Sequence, residues 1–194
     1  MKTIYLFRHS IPKKSDGPNP EIPLSEEGKK AIRDLIDRSG VKIDRVYSSP
    51  YRRARETASR FGTLSVLADE RLCERRIGDP DRFTPEKWAR QYSDPHFRDE
   101  NGESFDETRI RMTECLSEIL ETMMDGENVA VVSHAGAICA YLQNFCDIHV
   151  VDAEGKIRRI IREGTCIHEG TIQTPSFFEM SFRDDRLMNV RYRT

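Results

Sequence analysis

Residues 129–136 read Val129-Ala130-Val131-Val132-Ser133-His134-Ala135-Gly136. Four apolar residues in a row, three of them β-branched, suit a strand covered on both faces, as in parallel sheets. The polar pair Ser133-His134 follows at once, and Ala135 opens a segment to about 145 that reads as a helix. Two other stretches share this layout: Tyr5-Leu6-Phe7-Arg8-His9-Ser10 and Val46-Tyr47-Ser48-Ser49-Pro50-Tyr51-Arg52-Arg53. In an open parallel sheet, ligands bind in the crevice beyond the carboxyl ends of the strands, so these three segments are expected to converge on one site.

Working outward, 3–7 reads as a buried strand, and Ser25 caps a helix with Glu26 and Glu27 in its first turn. The loop before it, 15–20, is dense in Pro and Gly. A strand over 43–48 is followed by a helix over about 52–61 and a short third strand over 64–68. Pro85 starts a helix near 86–92. A long amphipathic helix is expected over about 104–124, where Phe105, Ile110, Met112, Cys115, Leu116, Ile119, Leu120 and Met123 fall near helical spacing. The spacing of Ile157, Ile160 and Ile161 predicts a helix over 157–163, with a hairpin turning at Glu154-Gly155 as the alternative. Two antiparallel strands, 176–182 and 187–192, flank Arg183-Asp184-Asp185-Arg186. Alternating strands and helices imply an α/β fold, a three-layer α/β/α sandwich with a mostly parallel central sheet.

The chain has 194 residues, 37% hydrophobic and 33% charged, with a formal net charge of -2. That size suits one domain over 1–194 with its own core. No apolar run approaches the roughly 20 residues needed to cross a bilayer, so no membrane association is expected. The amino terminus lacks the apolar region and cleavage site of a signal peptide, and a cytoplasmic location is the default expectation. Five cysteines without CxxC spacing suggest reduced thiols. The slightly acidic balance offers no general attraction to nucleic acid, so an anionic ligand would need locally clustered arginines.

The three strand ends supply such a cluster. Two histidines and two arginines around one point suit a phosphoryl group, whose charge must be held while a nucleophile attacks in line. Neutral imidazole can be that nucleophile, and arginine offers a planar fork of donors matched to phosphate oxygens. Amides at the start of the helix after His134 add donors at a positive helix end. Each residue also has a plainer reading: His9 or His134 alone suits a structural role, and Arg52, Arg53 and Arg55 suit a solvated basic face with Glu56 as a local partner.

The chain resembles the histidine phosphatase superfamily, the phosphoglycerate-mutase-like group. Arg8-His9-Ser10 matches that family's RHG motif in its first two positions, and Pro23-Leu24-Ser25-Glu26-Glu27-Gly28 is similar to its PLT-x-x-G segment. The stretch from Ser48 through Ala58 resembles its SSP-x-x-R-A-x-x-T-A motif. Leu72-Cys73-Glu74 resembles an L-x-E segment, Gly102-Glu103-Ser104 a GES, and Val132-Ser133-His134-Ala135-Gly136 the second-histidine motif.

The resemblance covers residues 3 to about 145 in the family's order. It implies His9 as nucleophile, Arg8, Arg53 and His134 as the rest of the phosphate pocket, and Glu74 as proton donor to the leaving oxygen. Ser10 and Ala135 join the substrate-binding set. The alternative for Glu74 is a surface ion pair with Arg75 or Arg76. Ser10 stands where the family usually has glycine, implying a slightly different loop or an extra hydroxyl donor. A small cap over about 75–102 is implied, in which Arg82, Lys87, Trp88, Arg90 and Tyr92 are candidate substrate contacts or simply an amphipathic helix.

Other phosphate chemistries do not fit the residues. No cysteine is followed six positions later by arginine, Asp79-Pro80-Asp81 lacks a preceding apolar strand, and there is no Walker A sequence. Cys166-x-His168-Glu169 lacks a second ligand pair for a metal. The expectation is therefore a phosphomonoester hydrolase without metal or cofactor, acting on a small phosphorylated substrate or a phosphoprotein. A mutase-type phosphotransferase and a non-catalytic phospholigand-binding protein are the alternatives.

Overall fold

The computed structural model describes residues 1–14, 19–62 and 65–194. Most of the loop expected at 15–20, and Leu64 at the start of the expected third strand, lie outside the described residues. The elements are β1 (Lys2–Arg8), α1 (Glu26–Ser39), β2 (Arg45–Ser48), α2 (Arg52–Ala58), β3 (Val66–Ala68), α3 (Pro85–Ser93), α4 (Phe105–Thr122), β4 (Asn128–Ser133), α5 (Ala135–Leu142), β5 (Asp147–Asp152), β6 (Ile157–Arg162), β7 (Thr165–Gly170), β8 (Ser176–Arg183) and β9 (Arg186–Arg193). Among the described residues, no helix is long and apolar enough to cross a membrane.

Contacts divide the chain into two compact units. The first comprises Met1–Cys73, Cys115–His134 and Gln173–Thr194, and the second Glu74–Glu114 and Ala135–Ile172. The first holds a six-stranded sheet in the order β3-β2-β4-β1-β8-β9. β3, β2, β4 and β1 run parallel, and β8 and β9 are antiparallel. This is the mostly parallel α/β sheet expected. β4 is buried along five of its six residues, as a strand covered on both faces must be. Successive side chains point to opposite faces. On one face Phe7, Ala130, Val132, Val46 and Phe177 pack with Ile32 and Leu35 of α1 and Ala54 and Ala58 of α2. Phe7 meets Phe177 with ring centres 4.6 Å apart. Burying each large side chain of this cluster contributes about 1.5–3 kcal/mol.

Register puts the residues that follow β1, β2 and β4 at one end of the sheet. Arg8 pairs with Ser133, and Ser48 with Val132. The next residues continue the ladder, with the His9 amide donating to Ser133 O at 3.0 Å and the Ser49 amide to Val132 O at 2.9 Å.

The second unit contains the stretch read as a cap, α3, α5 and an antiparallel sheet in the order β5-β6-β7. The helix expected over 157–163 is instead the central strand β6. Its burial has period two, with Arg158 and Ile160 inside. The Arg158 guanidinium lies 5.0 Å from the Trp88 ring and 5.7 Å from the Tyr92 ring, so an arginine fills a core position and breaks the apolar pattern. The hairpin alternative at Glu154-Gly155 is the observed turn. Trp88 and Tyr92, candidates for substrate contact, are buried in this core.

Smaller differences concern helix ends. α2 stops at Ala58 because Arg60 and Phe61 turn back on Thr57 O and Ala58 O in tighter bonds, and α5 stops at Leu142 for the same reason at Asn144 and Phe145. Ile110 is half exposed, so the buried seam of α4 runs through Met112, Cys115, Leu116, Ile119 and Leu120.

Candidate active site

The first unit brings His9, Arg53 and His134 together. Arg53 sits in the first turn of α2, and small buried neighbours, Ala54, Thr57 and Ala58, let this helix approach the sheet. Its guanidinium is buried, so the solvated-face reading does not apply to it, whereas Arg52 is exposed and pairs with Glu56. Arg53 Nε donates to His9 Nε2 at 3.1 Å, and Nη2 lies 3.2 Å from His134 Nδ1. Nη1 donates to the backbone oxygen of Asn19 at 2.7 Å and to its side-chain oxygen at 2.9 Å. The two imidazole centres are 5.0 Å apart, and Tyr51 stands 5.0 Å from the His134 ring.

His9 is held as a neutral base. Its Nδ1 lies 2.7 Å from Ser10 O, a carbonyl that only accepts, so Nδ1 carries the proton and Nε2 keeps a lone pair. Burial pushes the imidazole down to about 3, with the Arg53 and Arg8 charges adding and the Ser10 carbonyl opposing. A neutral ring with one unprotonated nitrogen is what a nitrogen nucleophile requires. The His9 carbonyl accepts from Thr174 Oγ1 at 2.6 Å, which fixes the loop from the other side.

Ser10 is turned into the scaffold. Its hydroxyl donates to Gly28 O at 2.7 Å, and its amide donates to Thr57 Oγ1 at 2.9 Å. Ser10 is not among the residues with positive φ, so no glycine conformation is needed there. Ser25 caps α1, accepting from the Gly28 amide at 2.9 Å. A Cβ on Gly28 would lie 2.2 Å from Ile11 O, which explains glycine at that position. The Pro23–Gly28 stretch therefore serves to dock α1 against the loop that carries His9.

Glu74 belongs to the second unit. Its carboxylate accepts from the amides of Gly136 at 3.2 Å, Ala137 at 2.9 Å and Arg75 at 2.9 Å, so it lies on the amino end of α5. Ala135 opens that helix directly after His134. A Cβ on Gly136 would lie 2.7 Å from Glu74 Oε1, so the glycine makes room for the carboxylate. The neighbouring arginines bind elsewhere: Arg75 donates to Glu103 O and stacks near Phe83 and Phe105, and Arg76 pairs with the Glu103 carboxylate. Ser104 and Glu107 form a capping box at the start of α4.

Asn19, Thr57 and Thr174 also support the site. Thr57 lies within a recognised motif, but Asn19, which accepts from the Arg53 guanidinium, and Thr174, which donates to the His9 carbonyl, carry no local pattern.

The model of the histidine phosphatase superfamily (branch 1) matches residues 4–167. The chain belongs to this superfamily. It is 32% identical over 134 residues to a phosphoglycerate mutase-like protein of Arabidopsis thaliana, covering 61% of this chain and 58% of the relative. It is 30% identical over 132 residues to a broad-specificity phosphatase of Saccharomyces cerevisiae, covering 62% of this chain and 57% of that protein. The chain thus spans less than two thirds of the length of either curated relative. Among solved structures, a mycobacterial glucosyl-3-phosphoglycerate phosphatase aligns with a TM-score of 0.69 at 20% identity, covering 98% of this chain and 95% of that one. At that identity the likeness concerns the histidine phosphatase fold. The motifs quoted from the sequence lie within the matched span.

Proposed function

We propose that this histidine phosphatase superfamily member is a phosphomonoester hydrolase that works through a phosphohistidine on His9. The observation that carries the reading is one guanidinium, Arg53, donating to the lone pairs of two buried imidazoles. When a monoester enters, its phosphoryl oxygens take over the Arg53 donors, with Arg8, His134 and the amide of Ala135 completing the cradle. Ser10 contributes through its scaffold bonds rather than its proton. The freed Nε2 lone pair of His9 forms the N–P bond as the ester P–O bond breaks.

Glu74 is proposed to give its carboxyl proton to the departing oxygen. The carboxylate then takes a proton from the water that attacks phosphorus, the N–P bond breaks, and inorganic phosphate leaves with His9 restored. Support for Glu74 is its place in the family's motif order and its fixed seat on the helix that follows His134. No metal or cofactor takes part. The substrate class is small phosphomonoesters, consistent with the broad-specificity phosphatase among the relatives.

The test is hydrolysis of p-nitrophenyl phosphate by wild type and by His9→Ala. Turnover is expected to fall by at least about 10³-fold in the variant, and unchanged turnover contradicts the mechanism. Conversion of 3-phosphoglycerate to 2-phosphoglycerate would favour a mutase, and phosphate binding without turnover a binding protein.

A further inference from the structure

We propose that Ser49 is a positioning residue that holds His134 in the tautomer opposite to that of His9, so that both rings present a lone pair to Arg53. The use of this arrangement in phosphoryl transfer rests on the function proposed above, whereas the tautomers rest on hydrogen bonding alone. A guanidinium has five donors and no acceptor, so the ring nitrogens facing it are unprotonated. Those are His9 Nε2, 3.1 Å from Arg53 Nε, and His134 Nδ1, 3.2 Å from Arg53 Nη2.

A neutral imidazole carries its proton on the other nitrogen. In His9 that is Nδ1, which the Ser10 carbonyl receives. In His134 it is Nε2, 2.9 Å from Ser49 Oγ. The hydroxyl is committed to accepting: its own proton is donated to Cys73 Sγ at 3.7 Å, and the Tyr51 amide donates to the same oxygen at 3.3 Å. Ser49 is placed there by the ladder, its amide bonding to Val132 O two residues before His134.

The consequence falls on Arg53. With Ser49 as acceptor, the His134 edge facing the guanidinium attracts it and aims its fork between the two rings. Without that acceptor the ring also populates the Nδ1–H tautomer, which sets a donor against the donors of Arg53 and displaces it. A donor aimed wrongly by a fraction of an ångström weakens both phosphate binding and the stabilisation of the transferring phosphoryl group.

The test is 15N NMR of histidine-labelled protein in mildly alkaline buffer, with His9→Ala and His134→Ala identifying the two rings. The wild type is expected to show His9 as the Nδ1–H tautomer and His134 as the Nε2–H tautomer. Ser49→Ala is expected to give a mixed His134 signal and a fall of about tenfold in kcat/KM for p-nitrophenyl phosphate, the scale of one neutral hydrogen bond. Ser49→Thr, which keeps the hydroxyl, is expected to restore both. An Nδ1–H signal for His134 in the wild type overturns the proposal even where Ser49→Ala does not fold. So does a Ser49→Ala protein with unchanged tautomer and unchanged kcat/KM. Full turnover by His9→Ala would defeat the phosphoryl-transfer reading and leave the tautomer assignment to be judged by the spectrum.

Discussion

At His9 the same surroundings that keep the imidazole neutral, as the proposed nucleophile requires, also cost stability in acid. The unfolded imidazole titrates near its ordinary value of 6.5, while the folded one is pushed down to about 3 by burial and by Arg53 and Arg8. Between those values the unfolded chain binds a proton that the native state refuses, so stability falls as pH is lowered from about 6.5 towards about 3. This single group contributes a slope of up to about 1.4 kcal/mol per pH unit. Chemical denaturation across that window is expected to show a shallower decline for His9→Ala than for wild type, and parallel curves would contradict the assignment. The gathering of His9, Arg53 and His134 was legible from the motifs that carry them. Ser10 was legible only as a departure. Its hydroxyl went to Gly28 O because that carbonyl lies within reach in the folded chain, which no local pattern reports.

At the level of elements, the amino end of α5 does two tasks: it follows His134 and it seats Glu74. The Gly136→Ala variant would force its Cβ against Glu74 Oε1. We expect kcat to drop by about tenfold or more, as for a displaced proton donor, while binding of inorganic phosphate stays unchanged. Loss of phosphate binding with kcat preserved would contradict the division of roles between Glu74 and the arginine and histidine cluster. Strand β4 was legible because an apolar run of strand length between polar neighbours has one comfortable place, the middle of a parallel sheet. Strand β6 was not, because Arg158 takes a buried position against Trp88 and Tyr92 and hides the alternation that marks a strand. The helix ends at 58 and 142 escape apolar spacing for a different reason: the turns that follow tighten through bonds to the residue three back.

On the scale of the whole molecule, the sheet order could be inferred only in part. Three apolar strands ending in polar residues imply a parallel sheet with those residues at one end, and β1, β2 and β4 meet that expectation. The antiparallel pair β8 and β9 follows from two strand-like runs around a charged turn, while β5 and β7 have no comparable signal because β5 buries a single residue and β7 none. The protein holds its reacting groups with side chains and backbone alone in the proposed mechanism, so treatment with a strong chelator is expected to leave p-nitrophenyl phosphate turnover unchanged; a loss restored by a divalent ion would oppose it. The most direct test of the central claim is to quench wild-type protein during turnover and map any phosphoryl group by mass spectrometry under alkaline conditions. The account predicts one acid-labile phosphoryl group on His9, absent from His9→Ala and accumulating when Glu74 is replaced by Gln on an activated ester. A phosphoryl group on another residue, or steady turnover with His9 never labelled under any of these conditions, would contradict it.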